Sequence, residues 1–198
     1  MATTKPYMLG RMKWARPQAM LWSNNYGTLS DGWFLPIGTE NEDFIIISDH
    51  NRKEINITQE RIENRRRMIN GTMRSYHTAD KLTISTSWDN LPSRAFSTDV
   101  SWDNSGNLIP SITGTTEYTV DGGAGGVQLV DWYELHPGPF YCFLSYDNYS
   151  NFNSDKYNHL NQYSQVLHVY FSSFEYTISK RGGTNHDLWN IAITLEEV

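Results

Sequence analysis

Apolar and polar positions alternate most regularly in Lys81-Leu-Thr-Ile-Ser-Thr-Ser-Trp88, where Leu82, Ile84, Thr86 and Trp88 fall on one side and Thr83, Ser85 and Ser87 on the other. A period of two sends successive side chains to opposite faces, so the segment predicts a strand with one buried face. Pro92 ends it, because proline cannot donate to a ladder. The closing stretch 187–195 repeats the pattern, with Leu188, Asn190, Ala192 and Thr194 opposite Trp189, Ile191, Ile193 and Leu195. Residues 43–48 (Asp-Phe-Ile-Ile-Ile-Ser) form a short apolar run and residues 55–58 alternate, which predicts a hairpin joined through the polar corner 49–54. Residues 140–145, 166–171 and 174–179 complete the strand candidates. Helical periodicity is hard to find, and turn signals recur about every dozen residues, the spacing of an all-β chain.

Between these runs the signals are of turns and loops. Residues 60–67 leave too little apolar surface for an amphipathic helix and predict an exposed loop or a single turn. Asn70-Gly71, set between apolar flanks, predicts a tight turn with two positive-φ positions. Residues 99–126 are rich in Ser, Thr, Asn, Gly and Asp and end in Asp121-Gly-Gly-Ala-Gly-Gly126, a flexible-loop composition. Residues 146–161 form an aromatic, Asn-rich insertion, and residues 1–42 show little periodicity. The expected architecture is therefore an all-β β-sandwich or partly closed barrel over residues 43–198, with long loops and an extended N-terminal arm over 1–42. Trp14, Trp22 and Trp33 in that arm need a neighbour to bury them, in the same chain or another.

Composition narrows the function classes. The 198 residues carry 38% hydrophobic, 14% aromatic and 19% charged side chains, enough for one globular unit with a core and unlike a disordered chain or a coiled coil. The net charge of −6 argues against a surface that grips nucleic acid or anionic lipid throughout. No run reaches the ~18 apolar residues of a membrane span, and residues 1–20 lack the apolar core of a secretory signal. The single cysteine, Cys142, excludes an internal disulfide and lies in a strand-like run, which predicts a buried structural thiol.

Candidate chemistry is sparse. The motifs of nucleophile elbows, phosphate-cradling loops, zincins and paired cysteines are absent, and the six histidines are scattered singly. No enzyme, cofactor or metal is expected. The charge is instead unevenly placed. From Arg52 to Lys81 there are eight basic and four acidic residues, net +4, which leaves −10 on the remainder. A solvated charged loop is the plain reading, and phosphate or nucleic-acid binding a second. A third is head-to-tail docking of a basic element onto the acidic body of another copy. The aromatic insertion, with Tyr146, Tyr149, Phe152 and Tyr157 among asparagines, offers platforms for stacking on sugars.

Several segments resemble tailed-bacteriophage minor tail and virion structural proteins. They are Ser48-Asp-His-Asn-Arg52, Arg61-Ile-Glu-Asn-Arg65, Arg67-Met-Ile-Asn-Gly-Thr-Met-Arg-Ser-Tyr-His77, Ala79-Asp-Lys81, Ser87-Trp88, Leu91-Pro-Ser-Arg94 and the closing strands from Glu175 to Arg181 and from Asp187 to Glu197. The resemblance covers roughly a third of the chain. It implies a β-sandwich subunit of a tail tube or of a tail-tip or baseplate ring, hexameric and joined to other tail proteins. It also implies assembly in the host cytoplasm into a virion, with DNA only as passing cargo and no membrane. On that reading Arg61, Arg65, Arg66, Arg67 and Arg74, with Trp14, Trp22 and Trp33, form the subunit interface, since a basic lumen would retard DNA. The alternative is a carbohydrate-binding β-sandwich at a tail tip, using Tyr146, Tyr149, Phe152 and Tyr157.

Overall fold

The computed structural model describes residues 19–28, 34–38, 42–95, 99–102, 108–111, 118–145, 165–181 and 186–198. The elements are β1 (Met20–Ser23), β2 (Tyr26–Thr28), β3 (Phe34–Pro36), β4 (Phe44–Ile46), β5 (Asn56–Arg67), β6 (Met73–Pro92), β7 (Asp99–Trp102), β8 (Leu108–Ser111), α1 (Gly126–Leu135), β9 (Phe140–Leu144), β10 (Gln165–Lys180) and β11 (Leu188–Glu197). The fold is all-β, as the alternation predicts. Seven strands form one antiparallel sheet in the order β4-β1-β9-β10-β11-β6-β5, open at both ends and not closed into a barrel. The pairs β2–β3 and β7–β8 stand outside it.

The fold is sandwich-like where the sheet is covered on both faces. On one face Met20, Trp22, Ile84, Trp88, Ile191, Ile193 and Leu195 meet Leu129 and Trp132 of α1. On the other, Leu21, Phe44, Ile46 and Phe143 pack with Phe34, and Tyr26 of β2 lies edge-on to Phe34 and Tyr141. β1 alternates its side chains between both cores, so all four of its residues are buried. Towards β5 the second face is bare and carries Thr83, Ser85 and Ser87 beside Thr194 and Ala192. That division is the one the 81–88 alternation predicts.

Several expectations need correction. The boundary expected at residue 43 falls inside the sheet, because β1 pairs with β4 on one side and β9 on the other. Residues 20–23 are therefore sheet interior and no part of an arm. The segment 44–46 does not pair with 55–58 as a hairpin; β4 joins β1, and β5 joins β6. The two strands expected at 166–171 and 174–179 are one, β10, with a register shift between Phe171 and Ser173.

The glycine-rich stretch 121–126 is buried throughout. Its Ala124 amide donates to Ile46 O at 2.9 Å, and the Val127 amide to Ser93 O at 2.8 Å. The glycines serve close approach there: a Cβ on Gly125 would lie 2.6 Å from Pro92 O and Arg94 C, and one on Gly126 3.0 Å from the Trp189 ring. Immediately after them the chain enters α1, where the Gln128 side chain accepts the Gly125 amide at 2.7 Å and satisfies an N-terminal donor. Leu129 and Trp132, three residues apart, form its buried stripe.

Candidate functional site

The arginine-rich segment is the last two strands of the sheet. β5 and β6 pair from Asn56↔Ser85 to Arg67↔Met73, whereas β11 stops pairing with β6 at Glu196↔Thr83. Beyond Thr83 the two strands have only each other as backbone ladder partners. This ribbon runs from Gln59↔Leu82 to its turn, roughly 30 Å at ~3.3 Å per residue. Its outer part is exposed on both faces.

Residues 60–67, whose pattern predicts an exposed loop or a single turn, are strand instead, held by pairing with β6 in place of a buried face. Arg61 Nε lies 3.1 Å from Asp80 Oδ1, and His77 Nε2 lies 3.0 Å from the same oxygen. Hydrogen bonds from His77 and then Arg61 hold the Asp80 carboxyl below its ordinary range. Glu63 accepts from Ser75 and pairs with Arg65, and these contacts lower its pKa in turn. At the root, Lys81 donates to the Val198 carbonyl, and the Leu82 amide donates to Glu197 Oε2 at 3.0 Å.

The turn differs from the two-residue form expected of Asn-Gly. Gly71 has φ +80°, while Asn70 stays at negative φ and uses its Oδ1 to accept from the Thr72 amide at 3.1 Å and the Thr72 hydroxyl at 2.7 Å. The Gly71 amide donates to Met68 O, and the Met68 amide to Thr72 O. This is a three-residue loop, a turn followed by a left-handed glycine. It lifts Ile69 fully into solvent, with Met68 and Met73 exposed beside it.

The ribbon gathers all five sequence-predicted arginines but uses them differently. Arg61 and Arg65 are held by Asp80 and Glu63. Arg66, Arg67 and Arg74 are exposed and have no ion-pair partner among the described residues. Arg66 stands directly across from Arg74, a like-charge pair that weakens an isolated hairpin. Tyr76, 60% exposed, shares that face two residues along from Arg74.

Of the three tryptophans assigned to a subunit interface, Trp22 is corrected. It is fully buried within its own chain, with ring centroids 5.3 Å from Phe171 and 5.6 Å from Phe140. Its neighbours come from strands more than 100 residues away, which no local pattern reveals. Trp14, Trp33, Tyr146, Tyr149, Phe152 and Tyr157 lie outside the described residues.

A second polar cluster is marked by no sequence motif. Ser48 Oγ donates to Asp121 Oδ1 at 2.7 Å, the Asp49 amide donates to Asp121 Oδ2 at 2.7 Å, and the Gly123 amide to Oδ1 at 3.0 Å. The Val120 amide donates to His50 Nδ1 at 3.1 Å. Burial lowers the His50 pKa, Asp121 raises it, and His186 lowers it further. Serine, histidine and aspartate are thus neighbours, but the hydroxyl is bonded to the carboxylate and the imidazole to a backbone amide. The arrangement lacks the serine-to-imidazole bond that activates a nucleophile, and it clamps the 119–123 loop onto the 48–50 corner. Cys142 is fully buried, and burial pushes its thiol pKa up. No group of three or more metal-ligating side chains occurs among the described residues, and no helix there is long and apolar enough to cross a membrane. Comparison with protein-family models and with curated proteins finds no match.

Proposed function

We propose that this chain is a non-enzymatic structural subunit of a bacteriophage tail, a ring-forming component of the tube or of the tail-tip or baseplate, which assembles with copies of itself and with neighbouring tail proteins. The observation that carries the reading is the projecting β5–β6 ribbon. A two-stranded ribbon without a buried face is marginal in water, and this one adds Arg66, Arg67 and Arg74, without an ion-pair partner among the described residues, to exposed Met68, Ile69, Met73 and Tyr76. Such a combination suits a protein interface, where apolar and arginine side chains are buried together. The body that would receive it is acidic, with −10 outside residues 52–81. The sequence resemblance to tail structural proteins supports the same reading, and with it a place for the subunit in the virion tail.

The test is assembly of the full chain, followed by light scattering and negative-stain imaging across concentration and salt. Wild type is expected to form rings or stacked rings that loosen as salt rises. Arg65→Glu, Arg66→Glu and Arg67→Glu together are expected to leave a folded monomer. Wild-type protein that stays monomeric at every concentration tested, or rings unchanged by the triple substitution, would overturn the assignment.

A further inference from the structure

The ribbon needs a receiving surface, and helix α1 presents one. Trp132 and Leu129 turn inward, while Asp131, Glu134 and Leu135 are exposed, Leu135 by 71%. Residues 131, 134 and 135 are three and four apart at most, so they form one outward stripe. Asp131 and Glu134 have no ion-pair partner among the described residues. They also lie towards the helix C-terminus, where the backbone dipole is negative and no basic residue occupies the last turn. The two carboxylates therefore sit against a field that favours a cation.

The ribbon carries the complementary arrangement. Arg66 and Arg74 repel each other across the strands, and exposed Tyr76 lies beside them on the same face. Two guanidiniums with an aromatic ring match two carboxylates with a leucine: ion pairs form at the charges, and Tyr76 covers Leu135. Among the described residues neither arginine pairs with either carboxylate within one chain. The ribbon leaves the sheet beyond the Thr83–Glu196 pair, whereas α1 lies over the sheet, with Tyr133 stacked on Phe174 and edge-on to Phe171.

We infer that the occupant of the α1 stripe is the ribbon of a second copy of this chain, with Arg66 and Arg74 on Asp131 and Glu134 and Tyr76 on Leu135. The inference rests on the self-assembly reading and adds to it the receiving site and the polarity. Because ribbon and stripe are different surfaces, the contact is head-to-tail, and each subunit gives one and takes one. Charge complementarity selects a second copy over a polyanion, which the acidic stripe would repel.

The test uses two full-length variants. Arg66→Glu with Arg74→Glu removes the donor, and Asp131→Lys with Glu134→Lys removes the receiver. All four positions are exposed, so both variants are expected to keep the wild-type circular dichroism and melting temperature. Each alone should associate at least about tenfold more weakly than wild type. Mixed in equal amounts, they should form pairs and stop, because only the intact ribbon of one and the intact helix of the other remain. All four substitutions in one chain should restore assembly. Wild-type assembly with an unaffected α1 variant would overturn the receiving site and leave the self-assembly reading standing. A wild-type chain monomeric throughout would overturn both. Binding of the ribbon to polyphosphate or DNA by wild type, with no self-association, would likewise refute the proposal.

Discussion

At the scale of single residues, His50 shows how one ring nitrogen couples a loop to acidity. Its Nδ1 accepts the Val120 amide, so it must be unprotonated, and burial also disfavours its charged form. Around the ring, Asp121 favours the cation and His186 opposes it, with Asp49 and Arg52 paired nearby at 2.8 Å. A histidine whose folded pKa lies below its unfolded value adds stability that is complete above about pH 6.5 and is lost as pH falls through the folded pKa. His50→Asn keeps an acceptor near the Nδ1 position and cannot titrate. Its melting temperature is expected to fall less than that of wild type between pH 7 and 5, measured by calorimetry in matched buffers. Parallel curves would sink the coupling. The residues themselves hid this cluster, because Ser48 and Asp121 are 73 positions apart and neither sits in a motif.

At the scale of elements, strands were legible where a face is buried and illegible where it is not. The 81–88 alternation specified its own inside and outside, since Ile84 and Trp88 had to reach the core. Residues 56–67 offered no such contrast. Their strand exists because β6 supplies hydrogen bonds and Asp80 and Glu63 neutralise two arginines. The ribbon arginines were legible as a charge excess, but their division into paired and unpaired members waits on register. Glycine composition misled in the other direction. In 121–126 the missing side chains let backbone pass within van der Waals contact of Pro92, Arg94 and Trp189. Gly125→Ala is accordingly expected to destabilise the protein by about 1–3 kcal/mol through overpacking against backbone that has no rotamer to yield. Urea unfolding would measure it, and an unchanged midpoint would show that α1 can shift without loss.

At the scale of the whole molecule, stability is uneven. The face holding Trp22, Trp88 and Trp132 draws on strands from both ends of the chain and on α1, so its amides open only with global unfolding. The ribbon beyond Thr83 has no such support. Among the described residues, hydrogen exchange in the free monomer is expected to be fastest at residues 62–78 and slowest in β1, β9 and β11. In assembled material the ribbon amides should slow by at least about tenfold if the ribbon is the buried contact. Equal exchange in both forms would place the interface elsewhere.

The position of β1 also governs how the chain is made. Met20–Ser23 leaves the ribosome well before its partner strand Phe140–Leu144, which follows some 120 residues later. At ~5–20 residues per second, synthesis of that interval takes roughly 6–24 s. Phe44–Ile46 can pair with β1 in the meantime, but it shields one edge only. Through those seconds a Met-Leu-Trp strand destined for the centre of the core has an open edge and no covering layer. Nascent chains crowded on one messenger can therefore meet through the same strand that later holds each of them together, and the yield of folded protein is expected to depend on translation speed as well as on final stability.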